Sequence, residues 1–507
     1  MDSPPAVTRS EDRVPVREKL ALGVGSLTAF FGFAGPERLA WPVLGMLLGL
    51  DGWLIGVCLL IPRLWDAITD PLMGKISDNT RSGLGRRRPY ILLGAALMAV
   101  TFIAMWYLPG EASDRLIAAW FVASQIVFFT AYTVYAVPFT ALSYELTPDY
   151  NERTRVMAFL GFFHKAGEFV GGWMPAMIVA LSGVVASEAI ATGEAASTSE
   201  GEMTMSGVQA TAWVLGIGVF LLVGAIPGLF VRERFAQPVT AGKRVRMTEA
   251  IGAALTNRAF LVLVSVIIFN TLSGILASGI DQFVLVYYMN GGDQAAGLIQ
   301  KGVLTSGYAF VGFVSIPVIT WIANRAGKTA ALYLVYWLMV IGGIAKWFIF
   351  MPGHSIVMVL GIKVDPIILI DPLLCGPMWV AVKILLASMM ADICDEDEFR
   401  YGQRREGLFG AAFSWLEKLI VSLAALSTGL ALTVSGFDAA LGAEQDPRTF
   451  ISMRLFLAGA PSLTALFAII ALRFYPIDAA RAAETRAALE ARRGVLSASK
   501  DDGKGSD

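Results

Sequence analysis

Lipid-length apolar runs are the feature that most restricts this chain. They recur near residues 20–48, 52–78, 87–109, 115–144, 155–184 and 208–231, and again near 259–289, 295–323, 329–351, 357–391, 407–434 and 450–474. A helix rising about 1.5 Å per residue needs about 20 such residues to cross a hydrocarbon core of about 30 Å. Internal Gly and Pro are tolerated where neighbouring helices satisfy the backbone. The pattern predicts an all-α polytopic membrane protein with about twelve transmembrane helices. Only 16% of the 507 residues are charged and 56% are hydrophobic, too little charge for a soluble chain of this length. A net charge of −1 gives no reason to expect a nucleic-acid partner. Cys58, Cys375 and Cys394 lie in or beside apolar runs, with neither disulfide nor metal spacing. The first 17 residues are polar and lack a signal-peptide core, so the first span is expected to direct insertion.

Charge orients the spans. Basic clusters follow the second span (Arg81, Arg86, Arg87, Arg88), the fourth (Arg153, Arg155), the sixth (Arg232, Arg234, Lys243, Arg244, Arg246), the eighth (Arg325, Lys328) and the tenth (Arg400, Arg404, Arg405). The loop after the fifth span carries Glu188, Glu194, Glu200 and Glu202 and no basic residue. The positive-inside rule then places both termini and these basic loops in the cytoplasm of a multi-pass cell-membrane protein. The expected organisation is a cytoplasmic tail (1–17), a six-helix bundle (18–231), a cytoplasmic linker (232–257), a second six-helix bundle (258–475) and a cytoplasmic tail (476–507) that starts as a short helix. The acidic stretch 185–206 reads as a mobile outer loop. Glu37 and Arg38 beside Gly35-Pro36 suggest an interruption of the first span.

The halves repeat. Gly74…Asp78…Arg81…Gly85-Arg86-Arg87 has a counterpart in Gly312…Asn324-Arg325-Ala326-Gly327-Lys328. Glu145…Glu152-Arg153-Thr154-Arg155 has one in Asp392…Asp395-Glu396-Asp397-Glu398…Arg404-Arg405-Glu406. Two pseudo-symmetric bundles place a substrate site between them near mid-membrane.

One stretch stands out within this frame. Asp66 and Asp70 are one helical turn apart, and Arg63 shares their face. If the second span leaves the membrane near Asp78, Asp66 lies roughly 18 Å inside. A charge there is costly and should face a polar cavity. Two acids one turn apart repel each other and invite H⁺, Na⁺ or the neighbouring Arg63; a structural Arg63 ion pair is the plainer alternative.

Three motifs carry a family resemblance. They are Arg63-Leu64-Trp65-Asp66-Ala67-Ile68-Thr69-Asp70-Pro71 with its exit through Asp78 and Arg86-Arg87-Arg88; Pro138-Phe139-Thr140 through Glu145 to Arg155; and Ala391-Asp392 through Arg405 to Glu417-Lys418. Together they resemble the glycoside-pentoside-hexuronide:cation symporters, the melibiose-carrier branch of the major facilitator superfamily, over roughly residues 18–475. The resemblance implies a transporter that takes up a sugar or glycoside with H⁺, Na⁺ or Li⁺, with no enzymatic chemistry and no cofactor beyond the coupling ion. It implies a cation site at Asp66 and Asp70, which also contact sugar, with Lys418 as charge partner. The chain departs from melibiose carriers at Ala136, Gly161 and Phe30, where that branch carries an acid, an arginine and an acid, so a galactoside and Na⁺ are not implied in particular.

Other side chains join the candidate list. Arg63, Tyr132, Tyr135, Thr140, Lys165, Trp379, Lys383 and Trp415 are expected at the substrate site. Lys165 stands one turn past the missing arginine, and the aromatics can stack on a sugar face; packing, or a self-contained Lys165–Glu168 pair, is the alternative for each. Asp281 and Gln282 suggest an outer path, and Asp365 and Asp371 a solvated vestibule. Asp78, Arg81, Glu145, Arg153, Asp392, Asp395 and Arg405 are expected to form a cytoplasmic gate of pairs across the halves. Partners are a small solute and the bilayer, and the expected state is a monomer. A facilitator or exporter of an amphipathic solute is the alternative on the same fold. A membrane enzyme has no nucleophile, phosphate-loop or metal motif to support it.

Overall fold

The computed structural model describes residues 13–110, 112–191, 201–233, 252, 256–359, 362–401 and 406–502. Most of the expected 232–257 linker, and Arg405, lie outside the described residues.

The first half consists of α1 (Val16–Ala40), α2 (Gly52–Asn79), α3 (Arg88–Met105), α4 (Asp114–Glu145), α5 (Tyr150–Gly171), α6 (Met174–Ala191) and α7 (Met205–Phe230). The second consists of α8 (Arg258–Met289), α9 (Gln294–Ala326), α10 (Lys328–Ile349), α11 (Ile370–Tyr401), α12 (Glu406–Ser435) and α13 (Pro447–Leu472), followed by α14 (Ala479–Asp502). Side-chain caps start several of them. Asp51, Asp149, Asn257 and Asp293 accept from the N–H groups that the first turns of α2, α5, α8 and α9 leave unpaired. Gly327, at φ 92°, ends α9 and allows α10 to begin at the next residue.

Ten of the described helices are long and apolar enough to cross a membrane, and α5 with α6, bent by 51°, make eleven if the bent pair is one span. The set reaches twelve only with α1, which has the length but carries Glu18, Lys19, Glu37 and Arg38.

Four details differ from the sequence reading. Gly35-Pro36 does not break α1; the helix runs through Pro36 and widens into a π-helical stretch at Trp41–Leu47. Pro42, which has no N–H to give the regular ladder, sits at the start of that stretch. The tenth span begins later than 357, because Val357–Val359 (β1) and Ile362–Val364 (β2) pair as a short antiparallel hairpin. The acidic loop starts later than 185, since α6 continues to Ala191. The tail helix is longer than expected and is docked: Arg481 and Thr485 bind Glu396 of α11 at 2.7 and 2.9 Å.

The halves meet unevenly. One apolar core runs from the first half into residues 276–304 and 425–457 of the second. A separate core holds the other end of the second half together. At the shared end α2 and α12 cross at van der Waals distance through glycine. A Cβ on Gly429 would stand 2.2 Å from the Gly52 carbonyl oxygen, and one on Gly52 would stand 2.7 Å from that of Gly429. Trp53 N–H donates to Thr433 Oγ1 at 2.9 Å, and Thr433 in turn bonds Asp51. On the α5/α6 side, Trp173 Nε1 donates to Ser306 Oγ at 2.9 Å, beside Gly302. A Gly429→Val substitution should therefore hold this end apart. A cysteine introduced at Leu426 should then react several-fold faster with a membrane-impermeant maleimide. The native thiols at 58, 375 and 394 are buried and give little background. Unchanged labelling would count against this seam.

Candidate functional site

Asp66 and Asp70 come from the middle of α2, between Pro62 and Pro71. Helical spacing stacks them on one face, which points at Thr133 of α4 and Lys418 of α12. Lys418 Nζ lies 3.1 Å from Asp66 Oδ2 and bonds Asp70 as well. The Thr133 hydroxyl lies 2.9 Å from Asp66 Oδ1 and 3.2 Å from Asp70 Oδ1. A hydroxyl has one proton, so it can donate to only one acid at a time. Thr69 Oγ1 stands 3.2 Å from the same hydroxyl. Asp66 is buried, while the Asp70 and Lys418 side chains remain 32% and 29% exposed, so the cluster is reachable from an opening. Two carboxylates and one ammonium leave a net charge of −1. Such a cluster can take up a proton or a small cation.

Arg63 does not pair with Asp66. Its guanidinium is held between the rings of Phe33 and Phe129, at 3.8 and 4.8 Å. It donates to the Phe33 carbonyl at 2.5 Å and stands 3.6 Å from Glu37. The α2 acids therefore take their counter-charge from the opposite half, which only the resemblance, through Lys418, had suggested.

The other expected site residues scatter. Tyr132 is half-buried against α1, where Gly32 makes room for its ring. Tyr135 is fully buried, stacked on Phe139, with its hydroxyl donating to the Gly25 carbonyl at 3.0 Å; it packs α4 on α1 and lines no opening. Thr140 is exposed, two turns along α4 from Thr133 on the same face. Lys165 makes the self-contained pair with Glu168 at 2.6 Å, and its Nζ reaches to 3.9 Å from the Cβ position of Gly312 in the other half. Lys383 is exposed on α11, near enough to His164 of α5 and Glu417 of α12 for its charge to act on both. Trp379 covers Gly274, and Trp415 is half-buried one turn before Lys418. Thr133 was absent from the sequence list. The 133–137–140 spacing along α4, which includes the chosen Thr140, was the signal that could have found it.

The gate residues pair within each half rather than across. Arg87 binds Glu145 at 2.6 Å and Asp78 at 2.8 Å, and Arg86 binds Glu145 at 3.0 Å, all in the first half. Burial acts against the Arg87 charge, but the bonds and charges of Glu145 and then Asp78 outweigh it and hold its pKa above the ordinary value. Asp392 binds Lys328 at 2.5 Å, within the second half. Arg81 is exposed, Asp395 is half-buried, and Arg153 donates to the Thr147 carbonyl of its own half. Described hydrogen bonds between halves lie at the α2/α12 cluster, at the Asp51–Thr433 end, from Phe169 and Trp173 to Ser306 of α9, and from Met203 to Gln294.

Nor do the outer acids form a vestibule. Asp371 is fully buried and meets Lys346 at 2.5 Å, with Tyr308 at 3.3 Å from the same ammonium. Asp365 is buried, caps the turn at Pro366 and lies 2.9 Å from His354. Asp281 binds Lys301 at 2.6 Å. Carboxylates at such depth survive by finding cations, and each of the two lysines lies on the adjacent helix.

Residues 44–479 match the family described as MFS/sugar transport protein. Among similar proteins is an uncharacterized symporter of Synechocystis, 26% identical over 88% of this chain and 91% of its own length. A sodium-dependent lysophosphatidylcholine symporter 1 of Gallus gallus is 22% identical over 96% of this chain and 91% of its own. A putative glycoside/cation symporter of Escherichia coli, YagG, is 22% identical over 92% of this chain and 94% of its own. The crystal structure of a bacterial homologue of the human lysosomal transporter Spinster superposes with a TM-score of 0.64 at 14% identity, covering 91% of this chain and 96% of that one, which speaks for the fold alone. The two packed halves, the long family match and these relatives agree: the chain belongs to the MFS/sugar transport family, as a transporter of the glycoside-pentoside-hexuronide:cation symporter group rather than an enzyme.

Proposed function

We propose that this protein couples the downhill entry of a cation, H⁺ or Na⁺, to uptake of a sugar or glycoside by alternating access. The observation that carries the reading is the bridge from Asp66 and Asp70 on α2 to Lys418 on α12. It joins the two halves near the middle of both helices and leaves one negative charge over. A cation entering the cluster competes with Lys418 for the carboxylates. Freed from them, the ammonium can turn to a solute hydroxyl, as can Thr133. Solute and cation thereby favour each other's binding, and that coupling is reciprocal. Tyr132, Thr140, Lys165, Lys383, Trp379 and Trp415 are the proposed solute contacts. The halves then rock about the loaded site.

By the basic-loop expectation, the end carrying Asp78, Glu145 and Asp392 faces the cytoplasm. Asp78–Arg87–Glu145 and Lys328–Asp392 are proposed to exchange partners across the halves when that end closes. A second reading has one observation in its favour. Phe162, Phe169, Phe310 and Phe313 are all exposed on α5 and α9, helices that meet between the halves, and such a seam suits a solute with an acyl chain. The relatives named as lysophosphatidylcholine symporters point the same way.

Purified protein in liposomes separates these. Imposed Na⁺ and pH gradients are applied in turn, with labelled glycosides, uronates and lysophosphatidylcholine as solutes. The reading expects accumulation of a glycoside under one gradient and none without it. Lipid accumulation alone would select the second reading, and flux indifferent to both gradients would remove coupling.

A further inference from the structure

A groove of about 360 Å³, at the small end of ligand-sized pockets, opens between α1 and α7, away from the Asp66 cluster. Leu20 and Val24 of α1 and Leu229 and Phe230 of α7 form its apolar walls, and Arg17 and Arg232 stand at its rim. The two arginines lie just where their helices begin and end, so they share one membrane interface. Both are exposed, and neither makes an ion pair or side-chain hydrogen bond among the described residues. The nearby charges are already committed. Lys19 holds Glu152 at 2.5 Å, Arg88 caps the α7 carbonyls of Gly228 and Leu229, and Glu233 accepts from the N–H groups that open α3.

We infer that this groove binds one anionic phospholipid, its phosphodiester held by Arg17 and Arg232 and an acyl chain lying along Leu20, Val24 and Phe230. Charge complementarity selects this occupant. Guanidinium pairs match phosphate oxygens bidentately, and a free pair at an interface beside an apolar cleft offers both ends of such a lipid a partner. A soluble anion would use the arginines and make no contact with the apolar walls, and a neutral lipid would use the walls and leave the two positive charges uncompensated.

The test uses the full chain, purified in detergent and stripped of lipid. Phosphatidylglycerol, phosphatidylcholine and inorganic phosphate are added separately while the melting temperature and lipid retention are measured. Phosphatidylglycerol should raise the melting temperature progressively with its concentration, as a ligand of the folded state does, and should co-purify after washing. Arg17→Gln/Arg232→Gln should lose both effects while melting like the parent without lipid. Arg17→Lys/Arg232→Lys should keep part of them. Equal stabilisation by phosphatidylcholine, an equal effect of inorganic phosphate, or undiminished retention in the glutamine variant would each overturn the assignment.

Discussion

Asp66→Asn and Asp70→Asn should each abolish gradient-driven accumulation while leaving the protein folded. In either variant Lys418 keeps one carboxylate, so the cluster is neutral before any cation arrives. Hydrogen bonds to a charged group contribute about 1.5–3 kcal/mol. At about 1.4 kcal/mol per factor of ten, losing one weakens cation binding roughly ten- to a hundredfold. Because the site is partly exposed, the lower figure is the better guide. Accumulation depends on coupling as well as affinity, so it should fall to the level of empty liposomes. Exchange of solute across a membrane without a gradient should survive better than accumulation. Wild-type accumulation in Asp66→Asn would refute the coupling scheme. Lys418→Gln gives the contrasting case: two adjacent carboxylates without a counter-charge should bind the cation more tightly and release it more slowly, reducing turnover.

The second large effect concerns stability. Lys346 and Asp371 are 4% and 0% exposed, and they pair inside the second half, away from the cluster. Removing one partner of a buried pair leaves an uncompensated charge and costs about 3–5 kcal/mol. Asp371→Ala should therefore melt far below the parent and be recovered in low yield. Replacing both charges by apolar residues of similar size, as in Lys346→Met/Asp371→Leu, is often neutral or stabilising by about 1–4 kcal/mol. The double variant should regain most of the melting temperature. Its uptake then separates a structural pair from a functional one: normal transport assigns the pair to architecture, and stable protein without transport assigns it to the cycle. A single variant melting like the parent would contradict the pairing.

The fold was legible because a bilayer permits few solutions. Apolar runs of spanning length were enough to place most of the helices. Breaks were harder to read, since any of several prolines can widen a helix. Pro36 sits inside a regular α1 while the chain widens at Trp41-Pro42. In the proposed site, the shared helix face of Asp66 and Asp70 was evident from spacing alone. Their partner was not, because Lys418 lies 348 residues from Asp70 and only the packing of α12 on α2 unites them. Arg63, near in sequence, was drawn to Phe33 and Glu37 instead. Tyr135 looked like Tyr132, but three positions along a helix stop about 60° short of a full turn, and the Tyr135 ring stacks on Phe139 in the core. Asp78, Glu145 and Asp392 do find basic partners, but from within their own halves, which spacing does not record.

The apolar core shared by the two halves, with its glycine-to-glycine crossing at Gly52 and Gly429, carries a thermal consequence. Parting that end wets hydrocarbon surface rather than breaking salt bridges, so the step should have a positive heat capacity and little sensitivity to ionic strength. Hydrophobic association weakens on cooling. Chilling the transporter should therefore tip its resting population toward the state in which Gly52 and Gly429 have separated.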